Sequence, residues 1–125
     1  KELNTKSSEL AQQIEIRETV DNILKFVESS AENGLVVEGR DMGSVVFPDA
    51  TLKIYLDADE NIRSTRRIEQ SNNQETTDDI FERDRRDITR KNSPLVVPKG
   101  AITLKNNTST VDELVDEVIK NLELR

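Results

Sequence analysis

The sequence contains no cysteine, no histidine and no tryptophan. Without thiols there is no disulfide framework, no zinc finger and no thiolate nucleophile. Without imidazole the commonest general base is missing. A bound metal would have to be a hard cation such as Mg²⁺, held by oxygen. The apolar runs are short, as in Gly34-Leu35-Val36-Val37 and Val45-Val46-Phe47. None approaches the roughly 20 residues that a bilayer-crossing helix needs. Lys1-Glu2-Leu3-Asn4 has no apolar signal-peptide core, which predicts no secretory signal. Aromatic side chains number four, Phe26, Phe47, Tyr55 and Phe81, so buried surface must come mainly from Val, Ile and Leu.

What is present is charge. The 125 residues, one compact domain or part of a larger one, are 34% charged with a net charge of −7. An acidic chain is a poor match for a polyanionic duplex, so nucleic acid is disfavoured as a partner. Seven of the ten arginines nevertheless fall between Arg63 and Arg90. Concentrated guanidinium in an acidic chain points to a small anionic ligand. A solvated helix laced with ion pairs is the plainer alternative, and Asp84 and Asp87 in the same stretch favour it. The chain also opens without methionine and in mid-pattern, which suggests a piece of a longer polypeptide.

Residues 7–32 read as one helix, with Val20, Ile23, Leu24 and Val27 as its apolar stripe and Asn33-Gly34 as its stop. Leu35-Val36-Val37 suits a strand covered on both faces, and the loop Gly39–Ser44 follows it. A second strand is predicted at Leu52–Leu56, and a helix capped by Asp59 runs through Arg66-Arg67. The polar stretch 69–77 reads as a mobile excursion, followed by a charged helix from about Asp78 to Thr89. Pro94 and Pro98 break the pattern before a third strand at Ala101–Leu104. Thr110-Val111-Asp112-Glu113 has the capping-box form and opens an amphipathic helix. This alternation predicts an α/β layer with a mainly parallel sheet, whose ligands sit at the carboxyl ends of strands.

Two stretches carry possible chemistry. In Gly39-Arg40-Asp41-Met42-Gly43, glycine lets backbone approach a ligand, Arg40 offers a fork for phosphate or carboxylate, and Asp41 can accept from a hydroxyl. The same residues also fit an ordinary tight turn with a surface ion pair. In Glu82–Arg90, Arg83, Asp87 and Arg90 lie at i, i+4 and i+7 on one helical face. A carboxylate between two guanidiniums is either an oriented anion clamp or a plain salt-bridge ladder. Arg63, Arg66 and Arg67 stand at the other root of the polar stretch, in the arrangement of a closing lid. No Gly-x-x-x-x-Gly-Lys-Ser/Thr phosphate cradle occurs in the 125 residues.

Taken in order, Gly34 through Ala50, Leu52–Ala58, Arg63-x-x-Arg66-Arg67, Glu82-Arg83-Asp84-x-x-Asp87-x-x-Arg90 and Ser93-Pro94-Leu95 resemble the signature of bacterial cytidylate kinases over nearly the whole chain. The resemblance implies the C-terminal portion of a P-loop nucleoside monophosphate kinase, a mainly parallel sheet flanked by helices with a short lid and the N-terminal part missing. It implies one partial domain: 1–33 the end of a CMP-binding insertion, 34–62 core strands and CMP loop, 63–91 lid, 92–125 the last strand and helix. The implied activity moves the ATP γ-phosphoryl group to CMP or dCMP with Mg²⁺, in a cytoplasmic enzyme that is monomeric as the parent. No protein Mg²⁺ ligand is identified here. The isolated piece is expected to be inactive and prone to self-association through an exposed sheet edge. By position, Ser8 and Arg17 contact the base and phosphate of CMP, and Arg40 and Asp41 stand beside the nucleoside, with Asp41 at the sugar. Arg83 and Arg90 grip phosphate with Asp87 between them, and Arg63, Arg66 and Arg67 belong to the lid. A CMP-binding remnant or regulatory module without transferase activity is the alternative.

Overall fold

The computed structural model describes residues 2–89 and 95–125; Arg90, Ser93 and Pro94 lie outside the described residues. The expected single helix over 7–32 is instead two, α1 (Glu2–Leu10) and α2 (Ile14–Ser30). No proline or glycine breaks it. Gln13 is extended at φ −81° and ψ 122°, and the amides of Gln12 and Gln13 reach back only three residues, to the carbonyls of Glu9 and Leu10. Nη1 of Arg17 donates to the Ala11 carbonyl at 2.9 Å. A continuous helix would give that carbonyl to residue 15, so the guanidinium satisfies the group that the break exposes. The apolar stripe expected on this helix is mostly open, since Val20, Ile23 and Val27 are exposed and only Leu24 is half-buried.

Leu35-Val36-Val37 does not form the predicted strand. A strand exists only where a neighbour takes its amides and carbonyls, and no described strand runs beside it. Val36 is accordingly 99% exposed. Gly34 before it sits at φ +91°, which glycine adopts without strain. The expected loop over 39–44 gives way to a turn of wide helix, Met42–Val46. Here the amides of Val46 and Phe47 donate five residues back, to the carbonyls of Asp41 (3.3 Å) and Met42 (2.7 Å). Such turns recur at functional sites.

Two strands form, β1 (Ile54–Asp57) and β2 (Ile102–Lys105), each close to its predicted place. They pair in parallel, with Ile54 opposite Ile102 and Leu56 opposite Leu104. Parallel neighbours need a crossover, supplied by α3 (Glu60–Gln70) and α4 (Thr77–Thr89). The stretch between these helices is not the open excursion that its polarity suggests. Asn72 and Asn73 take left-handed conformations at φ 53° and 62°, which asparagine tolerates, and turn the chain back. The Glu75 amide donates to Ser71 Oγ at 3.1 Å, while Thr76 and Asp79 exchange side-chain and backbone hydrogen bonds at the start of α4.

The predicted capping box is formed. The Glu113 amide donates to Thr110 Oγ1 at 3.2 Å, and the Thr110 amide donates to Glu113 Oε2 at 2.8 Å, opening α5 (Val111–Glu123). The architecture is therefore mixed α/β around a small parallel sheet. Among the described residues the buried apolar groups are Val46 of the wide turn, Ala58 at the exit of β1 and Leu104 of β2. Gly43 of the wide turn lies against the side chains of Pro98 and Lys53, just ahead of β2 and β1.

Candidate functional site

Buried charge marks the site. Among the described residues Asp41 and Asp87, each 4% exposed, are among the most buried side chains, and a lone carboxylate so placed would be costly. Each has an arginine. Nη2 of Arg17, on α2, pairs with Asp41 Oδ2, and Nη1 of Arg40 pairs with Asp87 Oδ2 on α4. Arg40 and Asp41 are neighbours in sequence. One dipeptide thereby ties α2 to one side and α4 to the other, just before the wide turn.

A second carboxylate on α4 extends the network. Asp84 Oδ1 lies 3.4 Å from Nη1 of Arg40, and Asp84 Oδ2 lies 2.5 Å from Nη1 of Arg63 on α3. The Asp84 contact pushes the Arg63 guanidinium up from an already high value, so Arg63 keeps its charge at any ordinary pH. Two helices thus meet Arg40-Asp41 directly, α2 through Arg17 and α4 through Asp84 and Asp87, and Asp84 brings Arg63 of α3 into the same network.

The other arginines of the α3–α4 region divide by task. Arg66 donates to the carbonyls of Asn106 and Asn107, at 2.6 and 3.0 Å, and so fastens α3 to the exit of β2. Arg67 Nε donates to Glu75 Oε2 at 2.6 Å and draws that carboxylate down to 7% exposure. Arg83 is different. Half-buried on α4, its side chain makes no ion pair or hydrogen bond among the described residues. It lines a cleft of about 540 Å³ between α1 and α4, where Arg86, Glu9, Glu75 and Glu82 also stand. Arg40 lies outside the residues that line this cleft. Arg83 and Asp87 share a face of α4 as their spacing requires, but Arg83 looks toward α1 and Asp87 toward Arg40.

Two polar atoms at sequence-predicted positions are buried without a partner among the described residues: Ser8 Oγ on α1 and Nε of Arg17. A buried donor left unpaired costs about 1–3 kcal/mol. These atoms are therefore poised to accept a bonding partner. Ser64 Oγ on α3 is in the same condition.

Sequence reasoning named Asp84 only as an ion-pairing acid of a solvated helix, not as a site residue, and missed Glu75. Asp84 stands three residues before Asp87, so helical spacing could have placed both on the Arg40 side. Glu75 carries no such signal, because its pairing with Arg67 depends on a turn made by two asparagines. For a metal the arrangement offers little. Among the described residues no three carboxylates are gathered so as to hold an ion.

The family model for cytidylate kinase matches residues 1–124. A probable cytidylate kinase of Vairimorpha ceranae is 41% identical over 113 residues, which cover 87% of this chain and 52% of the relative. A cytidylate kinase of Thermodesulfovibrio yellowstonii is 37% identical over 126 residues, covering 94% and 57%. One of Streptomyces avermitilis is 34% identical over 125 residues, covering 98% and 54%. The chain spans about half the length of these curated relatives. With a match along almost all of its residues, the chain belongs to the cytidylate kinase family.

Proposed function

We propose that this chain carries the acceptor-nucleotide site and lid of a nucleoside monophosphate kinase that moves the ATP γ-phosphoryl group to CMP or dCMP. The observation that carries the reading is the convergence of α2 and α4 on Arg40-Asp41 through Arg17, Asp84 and Asp87, with Arg63 of α3 joined to it through Asp84. Phosphoryl transfer asks little covalent chemistry of the protein. It asks for fixed reactants and for positive charge where negative charge accumulates. Guanidiniums held by carboxylates meet both needs, because a paired arginine is already oriented and gives phosphate two parallel donors.

In this reading Ser8 meets the pyrimidine and Arg17 the phosphate, and the buried unpaired atoms of both support that assignment. Asp41 accepts from the sugar, and Arg40 beside it offers its fork to the phosphate. Arg83 and Arg90 grip phosphate as the lid formed by α3 and α4 closes, Asp87 orients Arg40 rather than Arg83, and Arg63 leads that lid. Arg66 and Arg67 belong to the lid as structural members, since their guanidiniums serve the β2 exit and Glu75. The ATP side of the reaction and its Mg²⁺ are assigned to no residue of this chain. CMP binding without transfer, by a regulatory module, uses the same acceptor site. The absence of a Gly-x-x-x-x-Gly-Lys-Ser/Thr cradle from these 125 residues favours it for the chain by itself.

The test is calorimetric. The chain is expected to bind CMP, and Arg83→Ala to weaken that binding by about 1.5–3 kcal/mol, the worth of a hydrogen bond to a charged group. Equal CMP affinity in Arg83→Ala and the unsubstituted chain would remove Arg83 from the site.

A further inference from the structure

Asp84 belongs to the charge network but has no role toward the nucleotide in the reading above, and it touches two arginines from two other elements. Its carboxylate is split. Oδ1 faces Arg40 at 3.4 Å, and Oδ2 faces Arg63 at 2.5 Å. The side chain is 17% exposed, so water screens it less than it screens the Arg63 end, which is 42% exposed. Arg40 Nη1 is also paired to Asp87, one turn further along α4. Arg40 is thereby held between two carboxylates of a single helix face, and Arg63 is drawn from α3 onto the same carboxylate.

The geometry points to Asp84 as a positioning residue, which yokes Arg40 of the nucleotide loop to Arg63 of the lid and sets the pair's orientation toward a phosphate. This rests on the reading of the site as one for a nucleoside monophosphate. The physical case is orientation. An arginine side chain has four rotatable bonds, and one that must be ordered on ligand arrival gives up binding energy to do so. With both ends of Asp84 engaged, Arg40 and Arg63 are ordered beforehand and move together with α4. Asp84 itself touches no substrate in this scheme. Its removal should therefore be felt only by ligands that carry the phosphate.

The experiment compares CMP with cytidine, which lacks the phosphate, in calorimetric titrations of the unsubstituted chain and Asp84→Asn. Circular dichroism checks that the helices are retained. Asp84→Asn is expected to weaken CMP about tenfold and to leave cytidine unchanged. Equal losses for both ligands would make Asp84 a merely structural residue and overturn the inference, as would unchanged CMP affinity. If Asp84→Asn does not fold, Arg63→Gln cuts the same link from its exposed end. The same phosphate-selective loss is expected there, and unchanged CMP affinity in Arg63→Gln overturns the inference. Absence of CMP binding by the unsubstituted chain overturns the reading of the site and the inference with it. Binding by the unsubstituted chain with no effect of either substitution overturns the inference alone.

Discussion

The ion pairs of this chain differ widely in what they are worth. Arg17–Asp41 is shielded on both sides, whereas Arg63–Asp84 is open to solvent at the arginine. Exposed pairs contribute about 0–1 kcal/mol, while removing one partner of a buried pair strands a charge and costs about 3–5 kcal/mol. Arg17→Ala leaves Asp41 buried and uncompensated, so its denaturant midpoint should fall by the equivalent of about 3–5 kcal/mol. A loss below 1 kcal/mol would show that Asp41 is not held by Arg17. Legibility at this scale followed the same division. Arg40, Asp41, Arg83 and Asp87 could be picked out because motif and spacing place them, and Arg17 only by its position in the family resemblance. Glu75 could not, because its burial comes from a turn whose geometry lies in the backbone of Asn72 and Asn73.

Among the elements, β1 and β2 are short, and a salt bridge clamps their ends: Lys105 Nζ lies 2.7 Å from Asp57 Oδ2. The hydrogen bond from Lys105 holds the Asp57 carboxyl below its ordinary value, and the same contact raises Lys105. The signs follow from linkage. A depressed carboxylate stabilises the fold above its unfolded pKa, near 4, and that contribution is lost as the pH falls through the lower folded value. A raised lysine stabilises below its unfolded pKa, near 10.4, and that contribution is lost as the pH climbs through the higher folded value. Between those limits the clamp is fully charged. Asp57→Asn should therefore flatten the fall in stability below about pH 4, seen in chemical denaturation at a series of pH values. An acid limb unchanged by the substitution would assign that limb to other carboxylates. Helices α3 and α4 were legible from charge and spacing and α5 from its capping box, because those signals are local, although Asp59 at the start of α3 makes no side-chain cap hydrogen bond. The break between α1 and α2 and the unformed strand at Leu35–Val37 were not. One depends on where the Arg17 side chain reaches, and the other on whether a neighbouring strand is there to pair with.

Over the whole molecule, the described residues bury little apolar surface and leave large side chains open, among them Phe26, Val36, Leu56 and Val111. Polar contacts accordingly do much of the positioning: guanidiniums fasten α2 to the segment before the wide turn, α3 to the exit of β2, and α4 to that segment and to α3. This arrangement couples recognition to architecture, because several groups that fix the fold are those assigned to the nucleotide. The account stands on the claim that arginines from separate elements answer to one phosphate. Side-chain Nε–Hε signals in a nitrogen–proton correlation spectrum measure that directly. On titration with CMP, the signals of Arg17, Arg40 and Arg83 should shift with a single saturation curve, while that of Arg125 stays still and cytidine leaves Arg83 unmoved. Shifts that saturate at different concentrations, or an Arg83 signal indifferent to CMP, would contradict the account.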